Sequence, residues 1–442
     1  NGKYLTTTKA VATAAKIAPI IISIKFILYC FLIVLWQIYT FFLIIKIFLC
    51  KEMYLWSFKI NMHKITTDFY KELLKKFPYA PTLKQSKLLN LLSIFIFNEE
   101  KDALFLLKGY AGTGKTTTIS AFVNALSVAG KKAVLLAPTG RAAKVISIYS
   151  KRPAFTIHKK IYFPKKQSNG SVDFVLQPNK HKNTIFIIDE ASMIPDSRQN
   201  QKLFEAGSLL DDLISYVYSG EKCKIIFIGD TAQLPPVKLD VSPALIADTL
   251  TCEYHKRVTE IELDEVMRQH ENSGILANAT QLRLLLQNEE TNFKFDIDFP
   301  DIQRLTDGYD IEDALVSAYD SDGVEDTAFI VRSNKRANEY NQQIRMRIRG
   351  QENEISAGDF VMVVKNNYYW LEENSTAGFI ANGDICQVLK IFSIKELYGF
   401  NFAEVELKMI DYPEMKPFET VLLLDTLTSE SPSLTYEESN KL

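Results

Sequence analysis

Short apolar runs, each closed by a polar or glycine-bearing turn, recur along the chain. They alternate with segments whose apolar residues fall at helical spacing. Ala103–Leu107, Ala133–Ala137, Thr184–Ile188 and Lys224–Ile228 are almost wholly apolar and too short for helices. Runs of this kind read as strands buried on both faces, the mark of a parallel sheet covered by helices on either side. Thr116 to Leu126 reads as the helix after the first run. Residues 67–97 are helical in pattern but broken by Pro78 and Pro81, and Thr82 with Gln85 three residues on has capping-box spacing at a helix start. One insertion breaks the alternation. Lys159–Phe163 and Val172–Leu176 flank Gln167-Ser168-Asn169-Gly170, a hairpin signal with a loop longer than two residues. Further on, Thr327–Val331 reads as another strand and Asn338–Arg347 as a helix.

The first sixty residues follow a different pattern. Residues 26–45 are apolar or nearly so between Lys25 and Lys46, and a helix of that length spans roughly 30 Å, the hydrocarbon core of a bilayer. The segment is either a membrane-spanning helix or upstream sequence ahead of a native start at Met62.

Composition narrows the class. The 442 residues suffice for two or three domains, and 47% hydrophobic with 24% charged is ordinary for a folded chain. Five distant cysteines argue against a disulfide framework or a zinc site and for a reducing, cytoplasmic setting. Net charge is only −2, but residues 131–182 hold twelve Lys/Arg against the single acid Asp173. That local excess suits a nucleic-acid track.

The chemistry sits at the ends of the runs. After the first comes Gly109-Tyr110-Ala111-Gly112-Thr113-Gly114-Lys115-Thr116-Thr117. Glycines so spaced let backbone N–H groups converge on an anion at a helix N-terminus. Lys115 reaches the outer phosphates of a nucleoside triphosphate and the Thr116 hydroxyl ligates Mg²⁺. The second run ends in Pro138-Thr139-Gly140-Arg141, a polar turn where open α/β sheets place ligands, suited to a DNA phosphate; Thr156 and His158 join it as DNA contacts. The third ends in Asp189-Glu190, two acids that repel unless a cation is present: Asp189 for the Mg²⁺ shell, Glu190 for the attacking water. The fourth is followed by Gln233, an uncharged group able to sense a γ-phosphate or water. Gln85 has two readings of equal weight, a cap partner or an amide that pairs with adenine.

Taken in order, GYAGTGKT, LAPTGRAAK, TIH, IIDEASM, GDTAQLPPV and LDEVMRQ resemble motifs I, Ia, Ib, II, III and IV of superfamily 1 helicases, most closely the RecD/Dda-like 5′→3′ DNA helicases. The resemblance covers roughly Thr82 to Asp384. It implies a P-loop NTPase of RecA-like sheets, with ATP and Mg²⁺ as cofactors and single-stranded and duplex DNA as partner. It further implies that Lys115, Asp189, Glu190 and Gln233 carry catalysis and that Arg268 reaches the γ-phosphate across a domain cleft. By the same resemblance residues 62–285 are the first RecA-like domain, with a hairpin insertion at about 159–183 in the place of the family's strand-separating pin. Residues 286–442 are an incomplete second such domain, its strands including Gly358–Asn366 and Phe379–Asp384; motifs V and VI and a small barrel insertion are expected beyond Leu442. Two other readings compete: a DNA-stimulated ATPase that does not unwind, and a membrane-anchored P-loop switch resting on residues 26–45 of the hydrophobic extension 1–61 and on the phosphate loop.

Overall fold

A computed structural model describes residues 62–166, 172–195, 208–236, 239–265, 273–288, 290–324, 326–364 and 382–428, with parts of 36–48 and isolated positions between 365 and 381. The chain divides into two compact units, Asn1–Asp68 and Phe69–Leu442. Among the described residues no helix is long and apolar enough to cross a membrane; most of the 26–45 stretch lies outside them.

The second unit is built on a six-stranded, all-parallel sheet. Its strands are β1 (Ala103–Gly109), β2 (Lys132–Ala137), β3 (Ala154–Thr156), β6 (Thr184–Ile188), β7 (Lys224–Gly229) and β8 (Arg257–Leu263), in the order β3-β2-β6-β7-β1-β8. The four apolar runs expected as strands of this sheet are all present, and the period-2 geometry of a strand explains why they carry no polar face. Phe105, Leu107, Ile185, Ile187, Ile226 and Ile228 point into one core with helices Leu83–Phe97 and Lys115–Ala125. Leu104, Leu106, Phe186, Ile188, Ile225 and Phe227 point into a second core with helix Leu209–Tyr218. Strand β8 was not anticipated. Its alternation of Thr259, Ile261 and Leu263 with Glu260 and Glu262 is the signal, and it covers the open edge of β1 in register from Ala103↔Arg257 to Gly109↔Leu263.

The hairpin forms as two antiparallel strands, β4 (Tyr162–Lys166) and β5 (Val172–Leu176). It starts later than expected because Thr156 caps a short helix, Ile157–Ile161, its hydroxyl accepting from Lys159 N. The turn at 167–170 lies outside the described residues.

Among the described residues after 286 no strand joins a parallel sheet; the expected Gly358–Asn366 does contain a strand, an antiparallel one, and Phe379 and Ala381 of the expected Phe379–Asp384 lie outside the described residues. Thr327–Val331 pairs with no strand, and Ile330 is 95% exposed. Helices Gly274–Gln287, Gly308–Ser321 and Asn334–Gln343 lead instead to an antiparallel sheet of β9 (Phe360–Met362), β10 (Ile385–Leu397), β11 (Phe400–Met409) and β12 (Phe418–Leu423), ordered β12-β11-β10-β9. One-sided burial dictates this. Cys386, Val388, Ala403, Val405, Leu407 and Met409 fill a core of their own while the residues between them face out. The tight β10–β11 turn places Tyr398 at φ 57° and Gly399 at φ 80°, the doubly positive φ of a hairpin turn matched to strand twist. A small antiparallel module thus occupies residues 360–423.

Candidate nucleotide site and nucleic-acid face

The phosphate loop is strung between β1 and the helix that follows. Tyr110 N donates to Leu263 O of β8 at 3.2 Å, and a Cβ on Gly109 would meet that carbonyl at 2.8 Å, so only glycine lets the two strands approach here. Gly112 and Gly114 take φ of 80° and 86°, turning the backbone over into helix Lys115–Ala125. With glycine as N-cap, no side chain makes a capping hydrogen bond to the helix N-terminus. The Tyr110 carbonyl is the hub: it accepts from Lys115 Nζ at 2.9 Å and Thr113 Oγ1 at 2.8 Å. Lys115 Nζ also donates to Gly109 O at 2.6 Å, so the ammonium lies folded along the loop's inner carbonyls. Thr116 and Thr117 stand half-buried in the first helical turn, and Ala111 is exposed at the loop's tip.

Gln85 makes both bonds of the expected capping box: Gln85 N donates to Thr82 Oγ1 at 3.2 Å, and Thr82 N to Gln85 Oε1 at 3.1 Å. Its Nε2 goes further, donating 3.1 Å to Thr113 O, in the space a Cβ on Gly114 would fill. The amide therefore braces the phosphate loop from below.

Asp189 and Glu190 follow β6. Burial and the Glu190 charge push the Asp189 carboxyl up to about 6, against the lowering effects of the Glu190 amide, which donates to it at 3.0 Å, and of Lys115. Glu190 sits at φ 54°, a left-handed conformation that turns its side chain sharply out of the strand direction. Two residues on, Ser192 Oγ donates a long 3.4 Å bond to Gln233 Oε1. Asp230 accepts from Ala232 N at 2.9 Å and its carbonyl from Gln233 N at 3.3 Å, shaping the turn that presents Gln233. The structure thus gathers Lys115, Asp189, Glu190 and Gln233 along one carboxyl edge of the sheet. Ser192 and Asp230 were missed by sequence reasoning, although both lie inside quoted motifs. So was Arg283, whose guanidinium stacks over the Tyr110 ring at 4.5 Å. Arg268 lies outside the described residues.

The expected DNA residues converge at the next two strand ends. Thr139 caps helix Gly140–Ser150, accepting from Ala142 N at 3.2 Å, and Thr156 caps the neighbouring short helix. Ala137 pairs with Thr156 in register, so the two turns stand side by side, with Pro138 half-buried and Arg141 exposed. Burial lowers His158 to about 4, which leaves its ring uncharged at neutral pH; a phosphate contact from it has to be a hydrogen bond, not an ion pair. This face also meets acid. A Cβ on Gly140 would come within 2.5 Å of Asp384 Oδ1, and Lys144 pairs with Asp411 at 3.1 Å. Both carboxylates come from the antiparallel module.

An anion nest at a helix N-terminus, with an acid pair one strand removed on a doubly covered parallel sheet, defines a P-loop nucleotide-binding domain of the RecA-like α/β class. A family profile described as an AAA domain matches residues 96–292. The ATP-dependent DNA helicase dda of Enterobacteria phage T4 is 29% identical over 272 residues, 60% of this chain and 57% of that protein. The ATP-dependent RecD2 DNA helicase of Deinococcus radiodurans is 29% identical over 177 residues, 40% of this chain and 21% of that one. The chain is thus similar to two ATP-dependent DNA helicases, and it spans less than two thirds of the length of either. Among solved structures, a Pif1 helicase from Bacteroides in complex with ADP-AlF3 and ssDNA aligns over 77% of this chain and 74% of that chain, with 17% identity and a TM-score of 0.35.

Proposed function

We propose that the chain is the motor of an ATP-dependent DNA helicase, coupling ATP hydrolysis to 5′→3′ movement along single-stranded DNA and to duplex opening. The observation that carries this is the continuity of one sheet edge. The phosphate loop, Asp189–Glu190, Gln233 and the paired Thr139 and Thr156 turns occupy neighbouring strand ends, with Ser192 bonded to Gln233 between them.

In this reading Lys115 leaves its two loop carbonyls for the β/γ-phosphates, while Gly112 to Thr117 offer backbone amides and Gln85 holds the loop in register. Glu190 takes the proton of the attacking water, Gln233 reports the γ-phosphate to Ser192 and the DNA face, and Arg268 completes the charge stabilisation. Thr116 and Asp189 are hard oxygen donors that suit Mg²⁺. Among the described residues no group of three or more His, Cys, Asp or Glu is placed to hold a metal. Bound there, the ion neutralises charge on the phosphates. Pro138, Thr139, Arg141, Thr156 and His158 contact DNA.

The test is ATP hydrolysis with and without single-stranded DNA. DNA should stimulate the wild type, and Lys115→Ala should lower turnover by at least about 10²-fold, the scale for losing one group aimed at transition-state charge. A hydrolysis rate indifferent to DNA would sink the motor reading.

A further inference from the structure

Helix Gly274–Gln287 is fixed at its start. Asp301 accepts from Ser273 Oγ and from Gly274 N, each at 2.9 Å, and a Cβ on Gly274 would come within 2.5 Å of the Phe299 side chain. One turn on, Asn278, 4% exposed, donates its Nδ2 to Asp296 O at 2.8 Å and accepts from Asp296 N at 2.7 Å. The helix and residues 296–301 are thereby tied together. None of the helix's residues belongs to either core of the sheet domain, and Ile275, Leu284 and Leu286 are each more than half exposed. It meets the phosphate loop through a cation. The Arg283 guanidinium stands over the Tyr110 ring at 4.5 Å, steadied by a 2.9 Å bond from Nη2 to Thr280 Oγ1. A planar cation on an aromatic face has a preferred geometry, which apolar packing lacks.

Phosphate binding itself asks for no aromatic side chain at position 110, since such a loop works through backbone amides and its lysine. The ring serves as a handle on the backbone. Tyr110 N is held by Leu263 O, and Tyr110 O accepts from Lys115 Nζ and Thr113 Oγ1. In the reading above Lys115 leaves that carbonyl for the phosphates. The stack under Arg283 is then one of the holds that remain on Tyr110, beside Leu263 and Thr113. Its loss therefore tells more on the ATP-loaded loop than on a loop whose carbonyls Lys115 still ties.

We infer that Arg283 is a positioning residue of the nucleotide site, holding Tyr110 from outside so that the loop keeps the shape ATP requires. The inference rests on the nucleotide reading above and needs no contact with DNA. Because Arg283 acts through Tyr110, it favours bound substrate and transition state alike. Such a residue moves KM and leaves kcat.

The test uses the full chain. ATP affinity is measured by equilibrium binding, and hydrolysis across an ATP series with and without single-stranded DNA. Arg283→Ala should raise both Kd and KM for ATP about two- to fivefold, the worth of one cation–π contact, with kcat within about twofold. Arg283→Lys keeps a cation over the ring and should recover part of the loss. Arg283→Met keeps the apolar stem without the charge and should recover none; it replaces alanine if that variant does not fold. Tyr110→Leu should cost about as much as Arg283→Ala, and the two together no more than either alone. A lowered melting temperature with Kd and KM unchanged overturns the inference, as does a fall in kcat at unchanged KM. Additive costs, or methionine restoring what alanine loses, overturn it too. If the wild type binds ATP but DNA does not stimulate it, the motor reading falls and the affinities still decide this inference. A wild type that binds no ATP brings down both.

Discussion

Asp189 is held by opposing forces. Its carboxyl is pushed up to about 6 chiefly by burial and by Glu190, so in the nucleotide-free fold the neutral form is favoured relative to the unfolded chain. For an acid raised in this way, the stabilisation is complete below the unfolded value near 4 and is lost as pH rises through about 6. Asp189→Asn should therefore abolish hydrolysis and yet raise the melting temperature of the nucleotide-free protein at pH 7.5, by the equivalent of about 3 kcal/mol, with no gain at pH 4. A wild type whose stability rises between pH 4 and 6 relative to this variant would contradict the assignment. Gln85 makes a second case. Gln85→Ala removes half of a capping box and the brace on Thr113 O, so it should cost about 1 kcal/mol of stability and raise the KM for ATP more than it lowers kcat.

Between elements, the most telling contact is Lys224. It opens β7, is 6% exposed, and donates its Nζ to Phe95 O at 2.8 Å and to Asn98 O, the orphan carbonyls at the end of helix Leu83–Phe97. A cation at a helix C-terminus is well placed, but burial, with Lys131 adding repulsion, lowers it to about 8. The folded protein then binds fewer protons than the unfolded chain between about 8 and 10.5, and the lysine's contribution to stability grows with pH across that window. In matched denaturant titrations from pH 7.5 to 10, Lys224→Met should be less stable than wild type, with a deficit that widens as pH rises. A constant deficit would show that Lys224 acts as a pH-independent cap.

At the scale of the molecule, the antiparallel module lies on the basic face of the sheet domain. Asp384 lies at the start of helix Gly140–Ser150 and Asp411 on Lys144, beside the turn proposed above to contact DNA. A partly exposed ion pair of this kind contributes at most about 1 kcal/mol, so Asp411→Asn should leave the fold intact. It should tighten single-stranded DNA binding by about two- to fivefold at low salt, the gain shrinking as salt rises. Fluorescence anisotropy across a salt series measures both; unchanged affinity at low salt would mean that DNA does not compete for this face.

Much of the nucleotide site was legible in the sequence because its determinants are local. A five-residue apolar run can only be a buried strand in this context, and glycines at fixed offsets allow one kind of turn between strand and helix. Strand ends in a parallel sheet all face the same edge, so Lys115, Asp189 and Gln233 had to meet once their strands were recognised. Thr82, Thr139 and Thr156 cap helices by bonds that reach only three residues along the chain. Tertiary structure decided whatever depended on distant segments. The brace from Gln85 to Thr113 spans 28 residues, the Tyr162–Asp212 bond 50, and the Lys144–Asp411 pair 267. Residues 360–423 show the same limit. Alternating strands declare that one face is buried, but whether they join a parallel sheet or fold on each other is set by their partners, and here the tight turn at Tyr398–Gly399 paired β10 with β11. Periodicity records which face of an element is apolar; only packing chooses what that face meets.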